Sequence, residues 1–297
     1  MDIIYKGGES VVKIPYFGQQ ARFFKFFYDT ISPYLNKYNT YAETNSGSNS
    51  NAFQFANKGH KVIINDVGEY SNAVARAVLS NQEANITTNL QPKWINDYSQ
   101  SYIDRASLFA GLIDLDGYNA EIPENPSKEL IEKVADYKKH LTEVKNKNVL
   151  AHRIYNLDLF NYLDELNNSN TKVDVMFMDF AWPWRDGEKT EEYETSANSL
   201  SNIFTKRESK VNIWDRTNVI ENVIKAVNKA KKVARYVFLS NQSSNYPTPE
   251  ILEVALLSNN LPYLERHTML TNATNEDNLN KCDFFREYLY IIKGDID

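Results

Sequence analysis

The stretch DVMFMDFAWPW, residues 174–184, decides the fold. Together with Val173, its first half has the content of a buried strand: Val173, Val175 and Phe177 are interleaved with Met and Asp, and Phe180 follows. The strand runs into an acid, Asp179, and then into Phe180, Ala181, Trp182, Pro183 and Trp184. An aspartate that ends a strand beside so much aromatic surface has three readings. It is a structural strand end, part of a sugar- or protein-binding aromatic patch, or one wall of a pocket for a flat aromatic substrate.

On either side of this stretch, helical and strand-like segments alternate. A helix carrying Phe23, Phe24, Phe26, Phe27, Ile31 and Leu35 precedes a strand around 39–43 and a polar loop, TNSGSNS, at 44–50. A helix over 51–56, a strand within KGHKVIIND (58–66) and a helix over 69–80 follow. Residues 81–147 change character: they are polar, contain Trp94, Tyr98, Tyr102 and Tyr118, and offer a helix over 127–144 that starts at the N-cap candidate Ser127. This segment reads as an inserted, mainly helical subdomain within a core formed by 1–80 and 148–297. The alternation then resumes with a strand at 149–155, a helix over 158–166 and the strand at 173–179. A polar loop of roughly thirty residues comes next, a length that in a compact domain is usually functional. Beyond it lie a helix over 218–233, a strand at 234–241, a helix over 249–258 and a terminal strand at 287–293.

Such an order implies an α/β fold whose sheet is mostly parallel and covered on both faces. Ligands of these sheets bind at the carboxyl ends of the strands. Four ends carry polar groups there: Glu43 with its loop, Asn65-Asp66, Asn156-Leu157-Asp158, and Asp179.

Composition narrows the function. Apolar and charged fractions of 42% and 24% are those of an ordinary globular protein. No apolar run approaches a membrane span and MDIIYKGGES lacks the order of a signal peptide, so the expectation is a cytoplasmic protein without a membrane partner. The single cysteine, Cys282, excludes an intramolecular disulfide and a thiolate metal cluster, and it precedes an apolar run that favours a buried or incidental thiol. His60, His140, His152 and His267 show no ligand spacing, so no metal is expected. A formal net charge of −6 argues against holding nucleic acid by bulk positive charge. Local basic faces remain around Lys138–Lys147, Lys206–Lys210 and Lys229–Arg235, each of a kind that is more often just a solvated surface.

At the strand ends, Gly47 sits among small polar residues in a loop that leads into a helix, where backbone amides can approach a ligand. Asp66, closing the next strand, is placed either to accept ribose hydroxyls or to cap the helix near Glu69. Asp158 is an N-cap and could also receive a purine amine. Asp179 is followed by aromatics rather than by an amphipathic helix. A carboxylate beside a backbone carbonyl and an aromatic face can accept both protons of an exocyclic amine while the ring stacks. Core or surface packing is the competing role for Trp182 and Trp184.

The order of these motifs resembles the Dam-like class of DNA adenine methyltransferases over nearly the whole chain. KIPYFGQQ (13–20) is similar to that family's N-terminal cofactor segment, and YAETNSGSNS (41–50) to its Glu-Pro-Phe-x-Gly-x-Gly loop. IINDV (63–67) matches Asn-Asp-Ile-Asn, Asn156 and Asp158 fall where the family has the acid after its third strand, and MDFAW (178–182) falls on Asp-Pro-Pro-Tyr. FLSN (238–241) and EYLYI (287–291) resemble the late strands, and 81–147 lies where such enzymes carry target-recognition elements. The chain departs from the pattern at the loop, which keeps one glycine and lacks the aromatic residue. It also has Phe180 and Ala181 where the family has two prolines.

The resemblance implies a Rossmann-like fold that uses S-adenosylmethionine (SAM) to methylate the exocyclic amine of adenine in DNA, flipped out of the duplex or presented by a single strand. Asp179 and the Phe180 carbonyl would then hold the amine and Trp182 would stack on the base. Tyr16, Gly18, Glu43, Asn45, Gly47 and Asp66 would hold the cofactor, with Asp158 near its adenine or the amine. Two alternatives are a catalytically inactive relative kept as a binding module, and a methyltransferase whose substrate is not DNA.

Overall fold

The opening stretch forms a strand, Val173–Met178, in which all six residues are buried, in the computed structural model that describes residues 23–80, 90–117, 120–144, 152–183, 216–273 and 283–297. In chain order the elements are α1 (Phe24–Ile31), β1 (Thr40–Glu43), α2 (Ser50–Asn57), β2 (Lys61–Asn65), α3 (Glu69–Leu79) and α4 (Tyr102–Asp116). They continue as α5 (Lys128–Val144), β3 (Arg153–Tyr155), α6 (Leu159–Asn168), β4 (Val173–Met178) and α7 (Val219–Ala230). The last four are β5 (Ala234–Gln242), α8 (Pro249–Ser258), β6 (Tyr263–Ala273) and β7 (Asp283–Lys293). The chain divides into two compact units.

The first unit comprises residues 1–25, 46–158 and 192–211. Its strands β2 and β3 pair in parallel, Ile63 with Arg153 and Asn65 with Tyr155. Val62, Ile63 and Ile64 are fully buried, an apolar run that suits a strand covered on both faces. The helices α3, α4 and α5 pack on one another. α4 starts at Ser101, whose hydroxyl accepts the Asp104 amide at 3.1 Å, and α5 starts at Ser127, which accepts the Leu130 amide at 3.1 Å. Gly111 lets the two helices approach closely, because a Cβ there would lie 2.7 Å from Val134 Cγ2.

The sequence predicts α5 and not α4. α4 buries Asp104, Arg105 and Ser107 along with Leu108, Phe109, Ala110 and Leu112, so no polar face marks it as an amphipathic helix. Burial draws the Arg105 guanidinium below its ordinary pKa, while the neighbouring Glu69 acts in the opposite direction.

The second unit comprises residues 26–45, 159–191 and 212–297. Its strands lie in the order β1-β4-β5-β7-β6. β4 is parallel to both β1 and β5, with Glu43 opposite Phe177 and Met178 opposite Leu239, whereas β7 is antiparallel to β5 and β6 to β7. Phe27 of α1 meets Phe177 at 5.0 Å between ring centroids, and Tyr34 packs edge-on against Tyr236 and Phe238. β6 is a strand without counterpart in the sequence reading. None of residues 263–270 is buried, so no hydrophobic alternation announces it, and its backbone ladder with β7 holds it in place. Among the described residues no helix is long and apolar enough to cross a membrane.

The start of β4 carries a fully buried carboxylate. Asp174 accepts the backbone amides of Lys37 (2.9 Å), Tyr38 (2.8 Å) and Thr40 (3.1 Å), and Arg235 Nη1 lies 3.4 Å from it. These bonds compensate the charge for its lost water and fix where β1 begins. Replacing Asp174 by Ala leaves several donors without an acceptor, and the expected loss is about 2–4 kcal/mol of unfolding free energy, measured from the urea midpoint. A midpoint equal to that of the wild type would show that water takes over these amides.

Candidate functional site

In the first unit, the loop between Ser46 and α2 is built around one carboxylate. Asp66 follows β2 and accepts the Gly47 amide through Oδ2 and the Gly68 amide through Oδ1, both at 2.7 Å. Gly47 has φ +50°, in the left-handed region, which is why a glycine occupies this point of the loop. Asn49, also left-handed at φ +59°, precedes α2 and donates through Nδ2 to the Ser71 carbonyl at 2.9 Å. Gly68 is the N-cap of α3, and no side chain caps the first turn, so Asp66 holds the residue that leads into the helix and grips the glycine loop rather than capping the helix.

Burial pushes the Asp66 carboxyl up from 3.8 to about 6, against the pull of the Gly68 and Gly47 amides and the Ser71 hydroxyl. Asn65 and Asn156 fasten the neighbouring strand end. Asn65 exchanges hydrogen bonds with the Leu157 backbone in both directions at 3.0 Å, and Asn156 Nδ2 donates to the carbonyls of Asp66 (2.8 Å) and Val67 (3.0 Å). Asp158 follows, half-buried.

In the second unit, Glu43 ends β1 with 3% exposure and accepts the Tyr41 hydroxyl at 2.8 Å. Tyr41 is fully buried; burial raises its pKa well above the ordinary value, and the negative charges of Glu43 and Asp179 add to the effect. Both acids therefore lie close enough to act on one phenol, as expected for the carboxyl ends of the adjacent parallel strands β1 and β4.

Beyond Asp179 the chain makes a tight turn, with the Trp182 amide donating to the Phe180 carbonyl at 2.8 Å. The Phe180 and Trp182 rings meet edge-on at 5.3 Å, and the indole N–H of Trp182 donates to the Ser240 carbonyl at 3.1 Å. Trp182 is 8% exposed, so a base stacking on it would meet a ring that is already fixed. The Pro183 carbonyl accepts the Tyr246 amide at 2.7 Å.

The expected site residues thus fall into separate local groups. Gly47 and Asp66 are joined by a hydrogen bond. Glu43 and Asp179 are grouped around Tyr41, and Phe180 and Trp182 share one turn. Asn45 is half-buried after β1. Tyr16, Gly18, Trp184 and Cys282 lie outside the described residues. The sequence reading did not find Asn49, Ser71, Ser240, Asn241, Tyr246 or Glu287. Asn49, Asn241 and Tyr246 work largely through backbone groups and Glu287 pairs with the Ser240 hydroxyl; for Asn49, Ser71, Ser240 and Asn241 the one available signal was a small polar residue near a strand or helix end.

Whether these residues suit a cofactor rich in donors is tested by the acceptors they leave. Asn49 Oδ1 and Asn51 Oδ1, on residues 0% and 5% exposed, have no hydrogen-bond partner among the described residues. Two buried carbonyl oxygens beside a glycine loop and a helix start fit the ammonium or hydroxyl groups of a nucleoside–amino acid cofactor such as SAM. Among the described residues no cluster of His, Cys, Asp or Glu is arranged to hold a metal ion.

Among curated proteins none matches the sequence. Of solved structures, a SAM-dependent methyltransferase from Agrobacterium tumefaciens is similar at TM-score 0.47 and 5% identity, over 93% of this chain, which spans 61% of that one. Human methyltransferase 10 domain containing protein is similar at TM-score 0.43 and 8% identity, over 94% and 87% of the two chains. Magnesium protoporphyrin IX methyltransferase from Synechocystis PCC 6803, with bound SAM, gives TM-score 0.37 and 9% identity over 91% and 79%. The mostly parallel strands joined through helices make this a Rossmann-like α/β fold, and the methyltransferase family matched by residues 25–223 brings SAM as the cofactor. Residues 25–223 match the family described as D12 class N6 adenine-specific DNA methyltransferase, and since the match covers more than half of the sequence, the chain belongs to that family.

Proposed function

We propose that this methyltransferase acts on the exocyclic amine of adenine in DNA. The observation that carries this reading is the end of β4, where Asp179 is followed by a carbonyl held in a fixed turn and by an anchored indole ring. Asp179 accepts one N–H of the amine and the Phe180 carbonyl accepts the other. A carbonyl oxygen has two lone pairs, so it can accept a second donor beside the Trp182 amide. Binding both protons in this way orients the nitrogen lone pair toward the methyl donor. The cofactor supplies a methyl group carried on a positively charged sulfur. As the new N–C bond formed and the methyl–sulfur bond broke, leaving a neutral thioether, the amine proton would pass to Asp179. The rate gain comes from positioning, with no covalent enzyme intermediate.

On this reading Asp66 acts on the cofactor loop by holding Gly47, and the resemblance gives Glu43, Asn45 and Asp158 as further cofactor-binding residues. Because the folded-state pKa of Asp66 lies above its unfolded value of 3.8, its contribution to global stability is largest below that value and is lost as pH rises through about 6. Its grip on the two amides runs the other way, because the ionised carboxylate is the better acceptor. SAM affinity measured by calorimetry is therefore expected to weaken as pH falls from 7 to 5. Asp66→Asn should bind more weakly throughout and show no such slope. A wild-type affinity that is flat across this range would refute the role of Asp66.

Transfer of a radiolabelled methyl group from SAM to duplex or single-stranded DNA tests the function itself. Asp179→Ala is expected to lower kcat by about 100- to 1000-fold, the loss typical when one aligned polar partner of the reacting group is removed, with SAM affinity within about twofold of the wild type. Transfer by the wild type to RNA or protein and not to DNA would overturn the assignment of substrate. Unimpaired transfer by Asp179→Ala would overturn the role of the acid.

A further inference from the structure

The carbonyl assigned to the amine lies in a three-residue turn centred on Ala181, closed by the 2.8 Å bond from the Trp182 amide. Among the described non-glycine residues, left-handed φ values occur at Asn39, Asn49, Asn170 and Asn260. Ala181 therefore has negative φ, and the turn is of the inverse γ type, whose central φ is about −75°. A proline, with φ near about −65°, would lock that geometry, but this chain has none at 180 or 181. A single short bond leaves such a turn free to flatten, and a carbonyl that must meet an amine at one angle cannot do so.

Two further bonds fasten the turn, and both come from one segment. Trp182 Nε1 donates to the Ser240 carbonyl (3.1 Å), and the Tyr246 amide donates to the Pro183 carbonyl (2.7 Å). Residues 240–247 are in turn shaped by one fully buried side chain, Asn241. Its Nδ2 donates to the Pro247 carbonyl at 3.1 Å, and its Oδ1 accepts the Gln242 amide at 2.7 Å and Asn245 Nδ2 at 3.3 Å. Behind them, the Ser240 hydroxyl donates to the fully buried Glu287 at 2.5 Å, tying β5 to β7. Arg216 lies 4.5 Å over the Tyr246 ring.

We infer that Asn241 is a positioning residue for the methyl-transfer turn: it shapes the loop after β5, and through Tyr246 and Ser240 that loop supplies the rigidity that a proline at 181 would otherwise give. The inference rests on the proposed role of the Phe180 carbonyl, yet its mechanical part can be read without any substrate.

The experiment compares full-length wild type, Asn241→Ala and Asn241→Ala/Ala181→Pro by amide hydrogen exchange, steady-state kinetics on DNA and SAM titration. In Asn241→Ala, exchange of the amides of residues 180–182 should accelerate while β4, β5 and β7 stay protected. Its kcat should fall by about 10- to 100-fold, as expected for a misplacement near 1 Å, with SAM affinity within about twofold of the wild type. The added proline should slow exchange at the turn again and recover at least half of the lost kcat on a logarithmic scale. Unchanged exchange at 180–182, faster exchange throughout the sheet, unchanged kcat despite a loosened turn, or no recovery by the proline would each overturn the inference. If the wild type transfers no methyl group to DNA, the proposed function falls. The clamp is then judged on exchange alone.

Discussion

A carboxylate with no access to water sets the level of the strand ends. Asp174, at the start of β4, collects the amides of Lys37, Tyr38 and Thr40 just before and within the start of β1. An uncompensated charge at this depth would cost several kcal/mol, so the chain around it has little freedom to shift. With that point fixed, Tyr41 aligns with Val175 and Glu43 with Phe177. The two acids at the far ends then sit two residues apart in this register, Asp179 lying beyond Phe177, the partner of Glu43, and both act on Tyr41. A slip of one residue would turn every side chain of β1 to the opposite face and separate them.

Carboxylates in this chain do two kinds of work, and composition does not distinguish them. Asp174 and Asp66 each hold a loop by accepting backbone amides, and Asp66 does so from a site dry enough to lift its pKa to about 6. Asp179 ends its strand before a turn of aromatic residues and, among the described residues, starts no helix. An acid that follows a strand and precedes an amphipathic helix is thus readily absorbed by the helix start, whereas one that precedes a turn of bulky residues is left for chemistry.

This distinction also marks how far the sequence could be read. The parallel strands β1, β2, β4 and β5 were legible because each is a short apolar run between turn residues and helices with a clear stripe, as in Val219, Val223 and Val227 of α7. α4 was missed because burial on nearly all sides removes the stripe. β6 was missed because its side chains are largely exposed and its ladder with β7 leaves no trace in residue type. At the site, the acids were found by their place at strand ends. Asn241, Ser240 and Tyr246 were not, since what matters there is the direction of a carbonyl or an amide, which the side-chain pattern does not encode.

The substitution of both motif prolines by Phe180 and Ala181 shows the same principle in reverse. Proline rigidifies locally, by fixing φ whatever surrounds it. A turn held by hydrogen bonds from β5 is rigid only as long as that neighbour is ordered, so its stiffness is a tertiary property. Phe180 adds what proline cannot: a ring packed edge-on against Trp182, which buries both and gives the turn an apolar underside. Because the same indole is tied to Ser240 and the following carbonyl to Tyr246, the carbonyl proposed as the amine's acceptor is coupled to the loop after β5 and, through the Tyr246 ring, to Arg216. A proline-locked turn would be indifferent to those residues. On the proposed reading, whatever displaces the β5 loop also displaces that carbonyl, which would make the geometry of methyl transfer responsive to events a full loop away from Asp179.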